Sequence, residues 1–198
     1  MMNEIGILIP AAGASSRMRG RDKLLEPVGG VPLLSLIATR ARAVTRCVCV
    51  ALPGAEGPRH AAIAGLDVKW VQVPDPSEGM AASLRAALAA LPERMSGVMI
   101  LPADMPEIDA PDLRTLIDAF RDAPGIWQAT AADGTPGHPV IFPADLLGEL
   151  AEVSGDRGGR DLLARHANRL HRLALPGRRA VTDLDTPEDW ARWRGAPA

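Results

Sequence analysis

Aromatic side chains are scarce in this 198-residue chain: 3% of residues, with two Phe, four Trp and no Tyr. That removes the stacking platforms on which single-stranded nucleic acid is held. Excess positive charge is missing as well. With 22 Lys and Arg against 24 Asp and Glu, the chain carries −2 at pH 7, and no global field exists to bind a polynucleotide through its phosphates. Long apolar runs are absent; none approaches the roughly 20 residues that span a bilayer. The opening Met1-Met2-Asn3-Glu4 has no basic stretch ahead of an apolar one, so a cytoplasmic location with no membrane partner is expected. Cysteine is limited to Cys47 and Cys49. They alternate in the apolar run Cys47 to Leu52, and neighbours two apart on a strand lie near the upper limit of disulfide geometry. Free thiols in a reducing compartment are expected.

What is present describes a globular protein. The 47% hydrophobic content is ordinary, and 19 Gly with 18 Pro punctuate the chain into short elements. A chain of this length buries roughly 70% of its unfolded surface, which suits one domain over residues 1–198 without linker or repeat. Ile5 to Pro10 reads as a strand buried on both faces, and Pro32 to Val44 as a helix with Leu33, Leu36, Ile37 and Val44 on one side. Further strands are expected at Cys47 to Leu52, Val68 to Val73 and Val98 to Leu101. Helices follow at Gly79 to Leu91, with Ser77 or Glu78 at its cap, and after Asp109, with Leu113, Leu116, Ile117 and Phe120 inward. Ile126 to Ala131 and His138 to Phe142 flank a turn-rich segment and form an antiparallel ribbon. Helices near Ala144 to Val153 and Gly159 to Asn168 come next, then a strand at Arg179 to Leu184. Thr186 and Pro187 begin a last helix, Asp189 closing a capping box. The alternation predicts an α/β fold with a mostly parallel sheet.

One loop carries chemistry. Ala11-Ala12-Gly13-Ala14-Ser15-Ser16-Arg17-Met18-Arg19-Gly20-Arg21-Asp22-Lys23 follows directly on the first strand. Its small residues let backbone N–H groups approach a phosphate, and its Arg and Lys side chains supply countercharge. It matches neither the G-x-x-x-x-G-K-[ST] nor the G-x-G-x-x-G pattern, so neither a P-loop ATPase nor a dinucleotide-binding dehydrogenase is supported. Asp104 follows the strand Val98 to Leu101, at the carboxyl edge where ligands of open α/β sheets gather. Asp183 and Asp185 form a second acidic pair. His166 and His171 are five apart, a spacing that aligns no zinc pair on a helix; with Arg165, Arg169 and Arg172 they read as a solvated basic surface.

The loop resembles the signature A-[AG]-G-x-S-x-R-M-G-x-x-K of the MobA-like nucleotidyltransferases, and its Ala-Ala-Gly is similar to that of the molybdenum cofactor cytidylyltransferases, where guanylyltransferases usually carry Ala-Gly-Gly. Arg19 is an additional residue between Met18 and Gly20, which leaves the register of the arginines open. Other blocks extend the resemblance over nearly the whole chain: Gly79 to Arg85, Asp104-Met105-Pro106, Gly137 to Val140, Gly155 to Arg160 and Asp183 to Asp189.

The resemblance implies a Rossmann-like, three-layer α/β/α nucleotidyltransferase fold and transfer of CMP from CTP to the phosphate of molybdenum-bearing molybdopterin, with release of pyrophosphate. It implies that Ala11, Ala12, Gly13, Ala14, Ser15 and Lys23 bind the nucleotide, with Gly79 and Ser83 beside base and ribose. Lys23 and Arg17 act on the phosphates, Asp104 together with one of Asp183 and Asp185, Asp185 being favoured, holds Mg²⁺ or Mn²⁺, and His138 lies on the acceptor side. A molybdoenzyme or its maturation factor is the implied protein partner. A guanylyltransferase using GTP, a cytidylyltransferase acting on a polyol or sugar phosphate, and a non-catalytic molybdenum cofactor carrier remain alternatives.

Overall fold

The computed structural model describes residues 4–92, 94–155 and 158–195. Among the described residues nine strands are formed: β1 (Ile5–Pro10), β2 (Pro27–Val28), β3 (Val31–Pro32), β4 (Val48–Leu52), β5 (Lys69–Gln72), β6 (Gly97–Ile100), β7 (Ile126–Thr130), β8 (Pro136–Pro143) and β9 (Leu170–Ala174). The α-helices are α1 (Leu33–Arg42), α2 (Pro58–Ile63), α3 (Met80–Ala90), α4 (Ala110–Asp122), α5 (Leu147–Ala151), α6 (Gly158–Arg165) and α7 (Pro187–Gly195). Seven strands make one sheet in the order β5-β4-β1-β6-β8-β7-β9, and β2 and β3 pair separately. Within the seven-stranded sheet, among the described residues, only β8 runs against its neighbours, pairing antiparallel with β6 and β7, while β2 and β3 are antiparallel to each other.

The two faces of the sheet follow from strand periodicity. Ile5, Ile7, Ile9, Val48, Val50 and Met99 point to a layer holding α1, α4 and Trp190 of α7. Leu8, Cys49, Ala51, Val98 and Ile100 point to the opposite layer, which holds α3, α5 and α6. The expected three-layer α/β/α arrangement is therefore present.

Chain connections leave β1 bordered by β4 on one side and β6 on the other, both parallel to it. Successive crossovers thus depart in opposite directions, and a crevice opens beyond the carboxyl end of β1. The loop that begins at Ala11 lies there.

The expected ribbon forms, but β8 inserts beside β6 and places β7 outside it. Two expectations are corrected. No strand runs from Arg179 to Leu184: Arg179–Val181 is a 3₁₀ turn, and the edge strand is Leu170–Ala174, parallel to β7. Neither Ser77 nor Glu78 caps α3; Gly79 occupies that position at φ 76°, while Asp75 caps the preceding 3₁₀ turn through Ser77 N–H. Of the residues read as a solvated basic surface, Arg165, His171 and Arg172 are exposed, as expected; Arg169 also pairs with Asp145, and Arg165 and His166 with Glu149. The other caps match the sequence, with Asp109 and Asp112 forming a capping box on α4, and Thr186 and Asp189 bonding reciprocally before α7.

Candidate active site

The loop after β1 is built around two left-handed residues, Ser15 at φ 52° and Arg19 at φ 54°. A non-glycine residue in that region costs about 1–2 kcal/mol, so side-chain bonds must hold it. Ser15 Oγ donates to Asp22 Oδ1 (3.2 Å) and accepts from Arg59 (3.2 Å). Asp22 also accepts from Leu24 N–H (3.0 Å), which caps the 3₁₀ turn Lys23–Leu25. Burial would raise the Asp22 pKa, but the Arg59 guanidinium and these hydrogen bonds hold it below the ordinary aspartate value. Around the turn, the N–H groups of Gly13 and Ala14 meet no protein acceptor among the described residues. Such donors are suited to an anion.

Lys23 leaves this turn and reaches across the crevice. Its Nζ donates to Asp104 Oδ2 at 2.6 Å and to Asp185 Oδ1 at 2.7 Å. Arg17 meets the other oxygen of Asp185 at 2.8 Å. Burial alone would lower the lysine pKa; the two carboxylates outweigh it and hold Lys23 above its usual value. Asp183 lies close by, and burial together with the negative charge of Asp104 and Asp185 pushes its carboxyl upward.

Several elements converge to place the two acids. Leu184 N–H donates to the Asp104 carbonyl (3.1 Å), tying the segment before α7 to the loop after β6. Arg40 of α1 donates to the carbonyls of Pro106 and Ile108, both at 2.7 Å, and Trp193 of α7 bonds Glu107 (3.0 Å). Asp185 therefore reaches the centre from a loop held by backbone bonding, not from the strand expected there.

His138 sits at the start of β8, where its Nδ1 is buried without a partner among the described residues. Burial lowers its pKa, only partly opposed by the Asp104 carboxylate. It helps line a cavity of about 740 Å³ with Met80, Leu84, Gln128, Arg160 and Arg172. A second hollow, of about 370 Å³, lies against Ala12, Gly13, Ala14, Pro53, Arg59 and Pro76.

The structure thus brings Lys23, Arg17, Asp104 and Asp185 into one ion cluster, with His138 near Asp104. Ala11 and Ala12 are buried at its base. The Ser15 hydroxyl turns toward the protein. Gly79 and Ser83 stand at the beginning of α3 and make no hydrogen bond or ion pair with the cluster; Ser83 is buried there. Asp156 and Arg157 of the Gly155 to Arg160 block lie outside the described residues. Arg59 and Asp22 were not singled out from the sequence, because a lone Arg in a first helical turn has no distinguishing pattern.

A cleft at the end of the central strand, lined by small residues and closed by Lys and carboxylates, defines a nucleotidyltransferase-type α/β site. The comparisons agree. The crystal structure of Rv0371c from Mycobacterium tuberculosis H37Rv superposes with a TM-score of 0.86 at 33% identity, covering 99% of this chain and 100% of that one. A structure of Rv0371c in complex with manganese gives 0.79 at 32% identity, covering 96% and 97%. The molybdenum cofactor guanylyltransferase of Serratia proteamaculans strain 568 is 30% identical over 202 residues, 98% of this chain and 96% of that protein. The bifunctional protein GlmU of Leifsonia xyli subsp. xyli is 36% identical over 185 residues, but the chain spans only 35% of its length. The profile of the MobA-like NTP transferase domain matches residues 7–170, and the chain belongs to that family.

Proposed function

We propose that the protein transfers a nucleotidyl group from a nucleoside triphosphate to the terminal phosphate of a molybdopterin-type acceptor, releasing pyrophosphate. The observation that carries this reading is the convergence of Lys23, Arg17, Asp104 and Asp185 beside unpaired backbone donors at the end of β1. The acceptor phosphate oxygen attacks the α-phosphorus in line, the bond to the bridging oxygen breaks, and pyrophosphate leaves. Catalysis of this kind is chiefly positioning and electrostatic stabilisation. Gly13 and Ala14 N–H groups cradle phosphate oxygens, and Lys23 with Arg17 offsets their charge. No side-chain nucleophile is required.

Asp104 and Asp185 already share one cation, the Lys23 ammonium, so the pair suits Mg²⁺ or Mn²⁺. Among the described residues no group of three or more His, Cys, Asp or Glu forms a complete cage. That fits a hard cation held by one or two carboxylates and completed by substrate phosphates. When bound, such an ion supplies Lewis-acid stabilisation of charge on the leaving pyrophosphate.

CTP is the favoured donor. The Ala12 methyl narrows the hollow beside the loop, and Pro53, Pro58 and Pro76 close its other walls, which suits a one-ring base. Gly79 and Ser83 are assigned to the base and ribose side. His138 and the 740 Å³ cavity take the acceptor, whose flat heterocycle matches a wall of apolar groups with few polar ones. A second reading, GTP as donor, is favoured by the guanylyltransferases at 30–33% identity. A molybdoenzyme or its maturation factor would receive the product in the cytoplasm, and residues 1–198 would act as one domain. A pyrophosphate-release panel of CTP, GTP, ATP and UTP against molybdopterin and a polyol phosphate tests the reading. Turnover with CTP and molybdopterin alone supports it; turnover only with the polyol phosphate, or none with any pair, overturns it.

A further inference from the structure

Arg59, on α2, is among the few charged residues buried in the protein, at 7% exposure. It lies far in sequence from the loop after β1, yet all its hydrogen bonds end there. Nε donates to Asp22 Oδ2 (2.7 Å) and one terminal nitrogen to Asp22 Oδ1 (2.9 Å), a two-pronged ion pair. That same nitrogen reaches Ser15 Oγ (3.2 Å), and the other donates to the Ala11 carbonyl (2.5 Å). Four bonds engage a group with five N–H donors, and Asp22 neutralises its charge. Little of the guanidinium remains for a phosphate.

Its three targets occupy strategic positions. Ala11 is where the loop leaves β1, Ser15 is a left-handed residue, and Asp22 immediately precedes Lys23. Ser15 Oγ also accepts weakly from Lys23 N–H (3.4 Å). One rigid, planar side chain therefore joins the beginning, the middle and the end of the loop. We propose that Arg59 is the positioning residue of this loop, fixing Ser15 and Asp22 so that Lys23 and the Gly13 and Ala14 N–H groups face one anion. This rests on the nucleotide reading above. The clamp acts on the triphosphate and leaves the acceptor side untouched. A lysine cannot reproduce it, because a single ammonium cannot span the two Asp22 oxygens and the Ala11 carbonyl with fixed geometry.

The test uses the full chain with Arg59→Met, Arg59→Lys, Asp22→Asn and the double variant Arg59→Met with Asp22→Asn. Calorimetric titration of CTP and of GTP with MnCl₂ gives the dissociation constants, steady-state kinetics gives KM and kcat for both substrates, and amide exchange follows residues 12–23. The clamp predicts at least a tenfold weaker triphosphate affinity in Arg59→Met, partial recovery in Arg59→Lys, and an acceptor KM within twofold of wild type. The double variant should be little worse than either single one, since both break the same contact. Loop amides should exchange faster while the sheet strands keep their protection. Should Arg59→Met fail to fold, Asp22→Asn carries the same prediction with the arginine retained. Unchanged triphosphate affinity in folded variants overturns the clamp and leaves the nucleotide reading standing. Failure of the wild-type protein to bind either triphosphate overturns that reading, while loop exchange still reports on whether Arg59 orders the segment.

Discussion

Replacing Lys23 with Met removes the cation shared by Asp104 and Asp185. Because Nζ lies 2.6 and 2.7 Å from one oxygen of each, those oxygens are at most about 5 Å apart. Two unit negative charges at that separation repel by about 3 kcal/mol at an effective dielectric constant near 20. The three side chains are 16–19% exposed, so water screens part of the repulsion, and Arg17 still faces Asp185. A loss of about 1–3 kcal/mol is expected in metal-free buffer at pH 7, lowering the melting temperature by about 3–10 °C for a chain of this size. A further sign follows from the same geometry. Mn²⁺ should raise the melting temperature of Lys23→Met more than that of wild type, because the ion replaces a missing charge in one and competes with Lys23 in the other. Differential scanning fluorimetry with and without MnCl₂ measures both. A variant that melts like wild type in metal-free buffer would refute the view that Lys23 is the counterion of this centre.

Gly137→Ala should destabilise the protein by at least about 2 kcal/mol, since its added Cβ would lie 1.8 Å from the Ala180 carbonyl oxygen at the start of β8; urea unfolding of the variant checks it. His138 has a folded pKa below its ordinary 6.5, so the unfolded chain binds the extra proton and stability should fall as pH drops below 6.5. The limiting slope is about 1.4 kcal/mol per pH unit, and His138→Asn should show a flatter profile in the same chemical denaturation series. Cys49, whose thiol burial pushes up to about 11, should stay silent to a thiol-specific chromogenic reagent at pH 8 until denaturant is added. Rapid native labelling of both cysteines would contradict its placement in the sheet.

The sheet was legible because its strands are short apolar runs closed by turn residues, and the helices because their apolar stripes keep a single period. Helix caps with reciprocal side-chain bonds, such as Thr186 with Asp189, were readable for the same reason: the bonding partners are three residues apart. Errors arose where local pattern and tertiary placement part. Leu170–Ala174 is charged and half-exposed because it is an edge strand, so it reads as surface, whereas Arg179 to Leu184 has alternating apolar residues yet turns to cover Gly137. The β2–β3 hairpin was missed, although Gly29-Gly30 at its turn, both with positive φ, is a signal of the kind that marks one. Of the site, Lys23 and Asp104 stood out by position after strands and by resemblance, and Asp185 by resemblance. Arg59 and Asp22 did not, because their partnership spans 37 residues and only the fold joins them.

The central claim is transfer of the α-phosphoryl group at the Lys23, Asp104 and Asp185 centre. It is tested most directly by incubating the protein with molybdopterin, Mg²⁺ and CTP or GTP labelled at either the α- or the γ-phosphorus. The α-label is expected in the acceptor and the γ-label in pyrophosphate, with both signals reduced about 10²–10³-fold in Asp104→Asn. Release of γ-label as inorganic phosphate, or transfer undiminished in folded Asp104→Asn, would contradict it.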